Sequence, residues 1–387
     1  MSVTRFTAEE LEALEKKTTF PRMFHFPLGV LLILSLATGW PVNHWAWQIP
    51  VTLVLSFFMF CWTSCFHETS HQTLCGSLRI SLWLGRLLGT IMLVPYTVYR
   101  EAHIRHHAYL NKPTDWELWP YSDPTTSKTF RRIYVWFDLL LGVFTAPYMY
   151  GRIFFHKDSP MTLAKQRATV RNEYIGIVLI WSIVLGATSY FGNWVPFLRG
   201  WFIPLMLAGL WQNGRKLTEH VGMASYDPLL GTRTVVGQNP VTRLCSFLNY
   251  DIFVHGPHHR FPRIAHDQLR HKMQEFIDRA PDQKFPLFSS YWQATLDAIP
   301  HMFRNPGVGM NVGAASPAEE KEKDIRNFVA DVNLAVLGES SATESAESTL
   351  STTRIDGAAD KSAIRPRDLK SKPSTHRVTA GSDDERS

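Results

Sequence analysis

The sequence predicts an all-α integral membrane protein. It should have about four transmembrane helices in two hairpins, further interfacial or re-entrant helices, and a histidine-bearing cap on the cytoplasmic side. Three observations predict this. Residues 23–67, 45 in all, contain no Asp, Glu, Lys or Arg. A second apolar pair follows at Tyr174–Gly192 and Trp194–Gly214. Nine of the 16 histidines fall in four short clusters, each placed just beyond a predicted helix end.

At the amino end, Thr7-Ala-Glu-Glu has the spacing of a capping box, and Leu11 and Leu14 share one side of the helix it opens. Segment 1–22 therefore reads as a surface helix near the lipid headgroups. The first hairpin comprises FPLGVLLILSLATGW and IPVTLVLSFFMFCWTSCF, with Gly39, Pro41 and Asn43 supplying the turn. A crossing takes about 20 apolar residues, so the uncharged stretch holds two. Leu78–Tyr99 carries Arg86 in its interior, and Ile133–Phe155 carries Asp138 and Arg152. Both read as interfacial or re-entrant helices. In the second hairpin Arg199 lies near the start of the return helix, where its stem can reach the interface. The membrane body is bounded at 23–310. The tail, 311–387, is rich in Ser, Thr and mixed charge with Phe328 as its one aromatic. Such a composition predicts disorder, apart from a short helix around Asp324–Leu337.

Charge sorts the same way. The whole chain of 387 residues carries +6 with His neutral, while residues 1–310 hold 29 Lys/Arg against 20 Asp/Glu and the tail 11 against 14. The turns Gly39–Trp47 and Phe191–Trp194 lack Lys and Arg, whereas Arg79, Arg100, Arg105, Lys112, Arg131, Arg132, Arg215 and Lys216 lie on the opposite side. The positive-inside rule then puts both termini and all the histidine clusters in the cytoplasm. The four cysteines, Cys61, Cys65, Cys75 and Cys245, are too few for a disulfide-built fold and read as small buried hydrophobes. No cleaved secretory peptide is expected, and no nucleic-acid partner.

The clusters are H-E-T-S-H at 67–71, H-I-R-H-H at 103–107, H-G-P-H-H at 255–259, and His220 in T-E-H. Residues at i, i+3 and i+4 share a helix face, so His67 pairs with His71, and His103 with His106 and His107. Gly256-Pro257 makes the third cluster a turn running into a helix. Imidazole is a standard ligand for iron, zinc, copper and nickel. Nine nitrogens exceed the needs of one tetrahedral ion and suit two metal ions with four or five ligands each. Iron fits such a histidine-dominated set, though ligand type alone leaves other metals open.

In order and spacing, HxxxH, HxxHH and HxxHH divided by hydrophobic hairpins resemble the membrane fatty acid desaturase superfamily, over roughly Phe24–Pro300. Further matching pieces are residues 106–115 (HHAYLNKPTD), Arg215-xxx-Glu219-His220, Asn249-Tyr250 and Arg260-Phe261-Pro262. The resemblance implies two non-haem iron ions, O2 as co-substrate, and a ferredoxin or cytochrome b5 type electron donor. Carried over residue by residue, it makes His67, His71, His103, His106, His107, His220, His255, His258 and His259 the metal ligands. Some members place an Asn four residues before the ninth histidine. Lys216 stands there in this chain, and Asn213 is the substitute candidate. Because the third box opens with His255 rather than Gln, a fused cytochrome domain is not expected, and the donor would be a separate protein.

The expected activity is desaturation of a lipid or fatty acyl chain; a lipid or carotenoid hydroxylase or ketolase of the same superfamily is the alternative. Glu68, Asp115 and Glu219 are the candidate catalytic-centre carboxylates, orienting the histidines by accepting their outer N–H. The plain alternative for each is a solvated charge. Trp116, Trp119 and Trp211 read as interfacial anchors or core. His25, His44, His156, His266, His271, His301 and His376 read as surface or interface residues. Two rivals differ in class. H-E-T-S-H also satisfies HExxH, the zinc-protease motif with Glu68 as base, but that leaves two histidine clusters without a role. A metal transporter would place its ligands near the bilayer midplane, whereas these lie beyond helix ends.

Overall fold

The computed structural model describes residues 20–313 apart from 42–43 and 75–76. The helix expected from Thr7, the candidate at Asp324–Leu337, Cys75 and His376 lie outside the described residues. Within them the regular secondary structure is helical apart from one pair of two-residue strands.

Helix α1 (His25–Thr38) ends where Gly39 takes a left-handed φ of 79° and returns its N–H to Ser35. Helix α2 (Trp45–His71) starts at His44, whose Nδ1 accepts the Ala46 N–H. Its 27 residues make it about 40 Å long, against a hydrocarbon core of about 30 Å. It is therefore longer than a perpendicular crossing needs, and Glu68 and His71 lie in its last turns. Helix α1, with 14 residues, is only about 21 Å long. This differs from the expected full-length crossing. The chain enters through a tight 3-10 turn at Phe20–Phe24, and His25, expected at the surface, is buried against Tyr250.

The stretch containing Arg86 forms α3 (Leu78–Ile91) and α4 (Tyr96–Ala108), bent 104° to one another. Pro95 starts α4, and a side chain at Gly89 would strike the Val94 carbonyl. Glu173 of helix α7 (Ala164–Tyr190) pins the bend. It accepts from Arg86 Nε at 2.9 Å, from the Thr97 N–H at 2.8 Å and from the Thr97 hydroxyl at 2.9 Å. Glu173→Ala is expected to destabilise the bend by about 1–3 kcal/mol, because Thr97 and Arg86 lose their charged acceptor and Arg86 is partly exposed. A lowered thermal midpoint in detergent, with α-helical content unchanged, is the observable; an unaltered midpoint would remove Glu173 from this role.

The second awkward stretch also breaks into two helices, α5 (Lys128–Leu140) and α6 (Gly142–Phe155). Asp138, buried on α5, accepts from Tyr121 Oη at 2.8 Å, Thr145 Oγ1 at 2.9 Å and Lys216 Nζ at 2.7 Å. All three partners of this carboxylate lie outside α5, so its charge is met by neighbours rather than by water. Helix α8 (Trp194–His220) returns from the α7 turn, with a π turn at Leu198–Phe202. Gly142 and Gly209 let α6 approach α8 closely, as small residues do between membrane helices.

Three helices, α2, α7 and α8, are long and apolar enough to cross a membrane, and α3–α4 makes four if the bent pair counts as one span. Exposed Ile175, Val178, Leu179 and Ile183 give α7 an apolar outer face of the kind that hydrocarbon covers. After α8 come α9 (Pro240–Leu248), α10 (His255–Arg260), α11 (Leu269–Arg279) and α12 (Tyr291–Arg304). Two-residue strands at Thr234–Val235 and Leu287–Phe288 pair in parallel, Thr234 opposite Leu287.

Candidate metal centre

Four elements deliver the histidines. His67 and His71 occupy the last two turns of α2, their rings 4.9 Å apart. His103, His106 and His107 end α4, and His220 is the last residue of α8. Tyr250 and Asp251 take positive φ, turning the chain so that α10 begins at His255 and presents His255, His258 and His259. Asn249 fastens this turn to α2 by accepting from the Ser64 hydroxyl at 2.7 Å.

All nine meet, in two adjoining groups. The ligand atoms of His67, His71, His103, His107 and His258 lie within 4.8 Å of one another. So do those of His106, His220 and His259, and those of Glu219, His220 and His255. The His107 ring stacks on His259 at 4.1 Å, so the groups share a wall. Eight of these rings are buried and His107 is half-buried. Consecutive residues part company: His106 and His107 join different groups, as do His258 and His259.

The ring nitrogens face inward in a way that hydrogen bonding alone does not satisfy. The Nε2 atom of His103 lies 3.1 Å from that of His71 and 3.1 Å from that of His107. The Nε2 atom of His255 lies 2.9 Å from that of His220 and 3.0 Å from that of His259. His67 and His258 leave buried Nε2 atoms with no partner at all. Three rings have an acceptor for a proton on the outer side: Nδ1 of His67 donates to Glu68 at 2.8 Å, Nδ1 of His103 to Glu117 at 3.0 Å, and Nδ1 of His106 to Asp115 at 2.8 Å, whereas Nδ1 of His107, His220 and His259 has no partner. With Nδ1 carrying the proton in these three rings, their inward Nε2 atoms carry lone pairs, which repel other lone pairs unless cations lie among them. Carboxylate behind imidazole is the usual support of a metal-ligating histidine. The donor set therefore fits metal ions.

The carboxylates differ in detail. Both Glu68 oxygens are engaged, by His67 on one side and by the Thr73 hydroxyl and His266 Nδ1 on the other. Glu68 thus stands behind the histidines and cannot serve as the base of an HExxH protease, which must face the metal. Asp115 is fully buried and also accepts the Asn111 N–H at 3.1 Å. Glu219 departs from the expectation: it lies 3.5 Å from His255 Nε2, on the ligand side, instead of behind a ring. Burial alone would push the Glu117 carboxyl up, but His103 and the Tyr150 hydroxyl, 2.8 Å away, hold it down to about 2. Asn213, the substitute candidate, is committed to Asp138 at 2.9 Å, and Lys216 pairs with the same carboxylate.

Beneath both groups lies a cavity of about 130 Å³. Met92, Val94, Val143 and Leu205 line it, with His67, His103, His106, His220 and His255 along the other side.

The family model described as fatty acid desaturase matches residues 43–291, well over half of the chain. The chain belongs to the fatty acid desaturase family. It is thus an oxidoreductase of lipid metabolism, and the family implies use of iron and oxygen. Among similar proteins, a Synechocystis sn-1 acyl-lipid omega-3 desaturase (ferredoxin) is 23% identical over 73% of this chain and 81% of its own length. An Arthrospira platensis sn-1 oleoyl-lipid 12-desaturase is 21% identical over 70% and 81%. A chloroplastic omega-6 fatty acid desaturase of Glycine max is 23% identical over 66% of this chain, which covers 62% of that protein.

Three residues of this desaturase-family site escaped the sequence reading. Glu117 lies two positions after Asp115, a spacing that could have drawn notice. Tyr150, which bonds Glu117, and His266, expected at the surface but buried against Glu68, come from distant segments and carry no local signal. Trp116 and Trp119 flank the Arg152 guanidinium at 5.0 and 4.4 Å, and Trp211 packs on Phe57 and Phe60, so these tryptophans pack among protein side chains.

Proposed function

We propose that the enzyme desaturates the acyl chain of a membrane lipid, using O2 and two non-haem iron ions. His67, His71, His103, His107 and His258 would hold one ion, and His106, His220, His255 and His259 the other. The observation that carries this reading is the pair of adjoining groups of converging imidazoles beside an apolar cavity. When bound, iron with O2 supplies the power to cleave an unactivated C–H bond.

The chain's own residues do the rest. Glu68, Asp115 and Glu117 keep the proton on the outer nitrogen of His67, His106 and His103 and fix those rings. Met92, Val94, Val143 and Leu205 receive the acyl chain and exclude water, so that its position against the histidines selects the carbon attacked. Electrons would come from a separate ferredoxin or cytochrome b5 type protein, and the Lys/Arg asymmetry of the sequence supports a cytoplasmic site with both termini on the same side.

The test is lipid profiling of a bacterial host lacking polyunsaturated chains, expressing the wild type or His106→Ala. A new double bond formed only by the wild type is the expected product. A hydroxylated acyl chain or an oxidised carotenoid would replace desaturation by the hydroxylase or ketolase reading. No lipid change from an iron-loaded wild-type protein, with its donor supplied, would sink it.

A further inference from the structure

Arg152 stands near the end of α6, its guanidinium 5.0 Å from the Trp116 ring and 4.4 Å from the Trp119 ring. Contact with indole holds a guanidinium in place but satisfies none of its N–H donors. Among the described residues no hydrogen bond or ion pair reaches those donors. Asp123 is the carboxylate whose charge reaches Arg152, alongside the Tyr134 and Tyr148 phenols, and Arg131 draws on the same charge. The Asp123 oxygens are occupied by the Thr125 N–H at 2.8 Å and by the Thr125 and Thr126 hydroxyls at 2.7 and 2.9 Å. Glu117 is committed to His103 and Tyr150, and Asp158 lies with His156 and Lys157.

Helix α5 fixes the depth of this arginine. Its exposed Phe130, Ile133, Phe137 and Leu140 share one side and exposed Lys128 and Arg132 the other, as in a helix lying in the headgroup plane. Trp119 packs on Phe130 and Tyr134 of this helix at 6.0 and 5.4 Å, so Arg152 lies at its level. The same two segments wall the cavity. Glu117 and Leu118, between the tryptophans, line it, and so do Met149 and Tyr150, just before Arg152.

We propose that Arg152, held by Trp116 and Trp119, binds the phosphate of the lipid whose acyl chain occupies the cavity, and so favours phospholipids over uncharged glycolipids. This rests on the acyl-lipid desaturase reading given under the proposed function. At this depth phosphate is the acceptor a bilayer supplies, and the guanidinium fork matches it in bidentate geometry. The indoles hold the fork before the lipid arrives, so less side-chain freedom is lost on binding.

The test uses full-length, iron-loaded protein in nanodiscs, with reduced ferredoxin as electron source. Phosphatidylglycerol and monogalactosyldiacylglycerol of identical acyl composition are supplied, and the readout is the ratio of turnover on the first to turnover on the second. Arg152→Gln is expected to lower that ratio by about tenfold, the loss of one charge-assisted contact. Arg152→Lys should recover part of it, because the charge returns without the fork. An arginine that only packs between the indoles would depress both rates alike, so an unaltered ratio in Arg152→Gln overturns the proposal. Native mass spectrometry of the metal-free protein gives a second readout. Phosphatidylglycerol should be retained by the wild type and lost from Arg152→Gln, whereas its displacement by millimolar inorganic phosphate would assign the site to the free ion and overturn the lipid reading. If the wild type turns over neither lipid, the desaturase reading fails first, while the retention assay still judges the site.

Discussion

His106→Ala and His107→Ala are expected to remove different metal ions from the same protein. The wild type should purify with about two irons per chain, the number that nine imidazoles in two groups can hold. Each variant should retain about one. The two side chains are neighbours in sequence, yet His106 faces His220 and His259 while His107 faces His67, His71, His103 and His258. The same split holds for His258→Ala and His259→Ala. Mössbauer spectra should therefore resolve two iron environments in the wild type, with His106→Ala and His259→Ala losing one and His107→Ala and His258→Ala losing the other. Activity should fall more than about 100-fold in all four, since disturbing even the outer partners of ligating histidines commonly costs 10–100-fold. A single zinc that survives His106→Ala and leaves with His71→Ala would defeat the two-group arrangement.

Asp115→Asn should be the most damaging of the carboxylate changes. An amide can still accept one hydrogen bond, but it no longer fixes the proton on His106 Nδ1 by charge. The carboxylate is fully buried, and beside His106 it accepts the Asn111 N–H that closes the loop after the second histidine cluster. A loss of metal affinity of about 10–100-fold is expected, read as iron retained after dialysis against a chelator. Glu117→Gln and Glu68→Gln should fall in the same range or below it. Glu68 decides a mechanistic point. A protease base would abolish all chemistry on Glu68→Gln while leaving the metal in place, whereas a carboxylate behind His67 should reduce metal retention and activity together. Full metal retention with no activity in Glu68→Gln would contradict the assignment drawn from its bonds to His67, Thr73 and His266.

Much of this could be read along the chain. Residues 23–67 lack charge, and a bilayer tolerates little else, so helices were the available solution for their backbone. The histidines at i, i+3 and i+4 had to share helix faces, since 3.6 residues make a turn. Arg86 and Asp138, charged residues inside apolar stretches, marked segments that each break into two helices. What local pattern could not carry was anything requiring two segments at once. Helix α1 proved short because its amino end folds onto Tyr250, more than 200 residues away. Glu173 holds Arg86 and Thr97, and Asp138 holds Lys216, across helices whose relative placement depends on packing alone.

The histidines show the division most clearly. Their type, number and spacing are properties of the sequence, and they specify a metal-binding chemistry before any fold is known. Their sorting into two groups is not. Adjacent helical residues point about 100° apart, so which of His106 and His107 meets which partner depends on where α2, α8 and α10 stand around α4. The same holds for Arg215 and Glu219. One helix turn separates them and the Arg215 charge reaches Glu219, yet in the folded chain both leave polar atoms unpaired beside the cavity. Periodicity is set by bonds within one helix; a site is set by the packing of several, and that packing follows from apolar burial distributed over the whole chain.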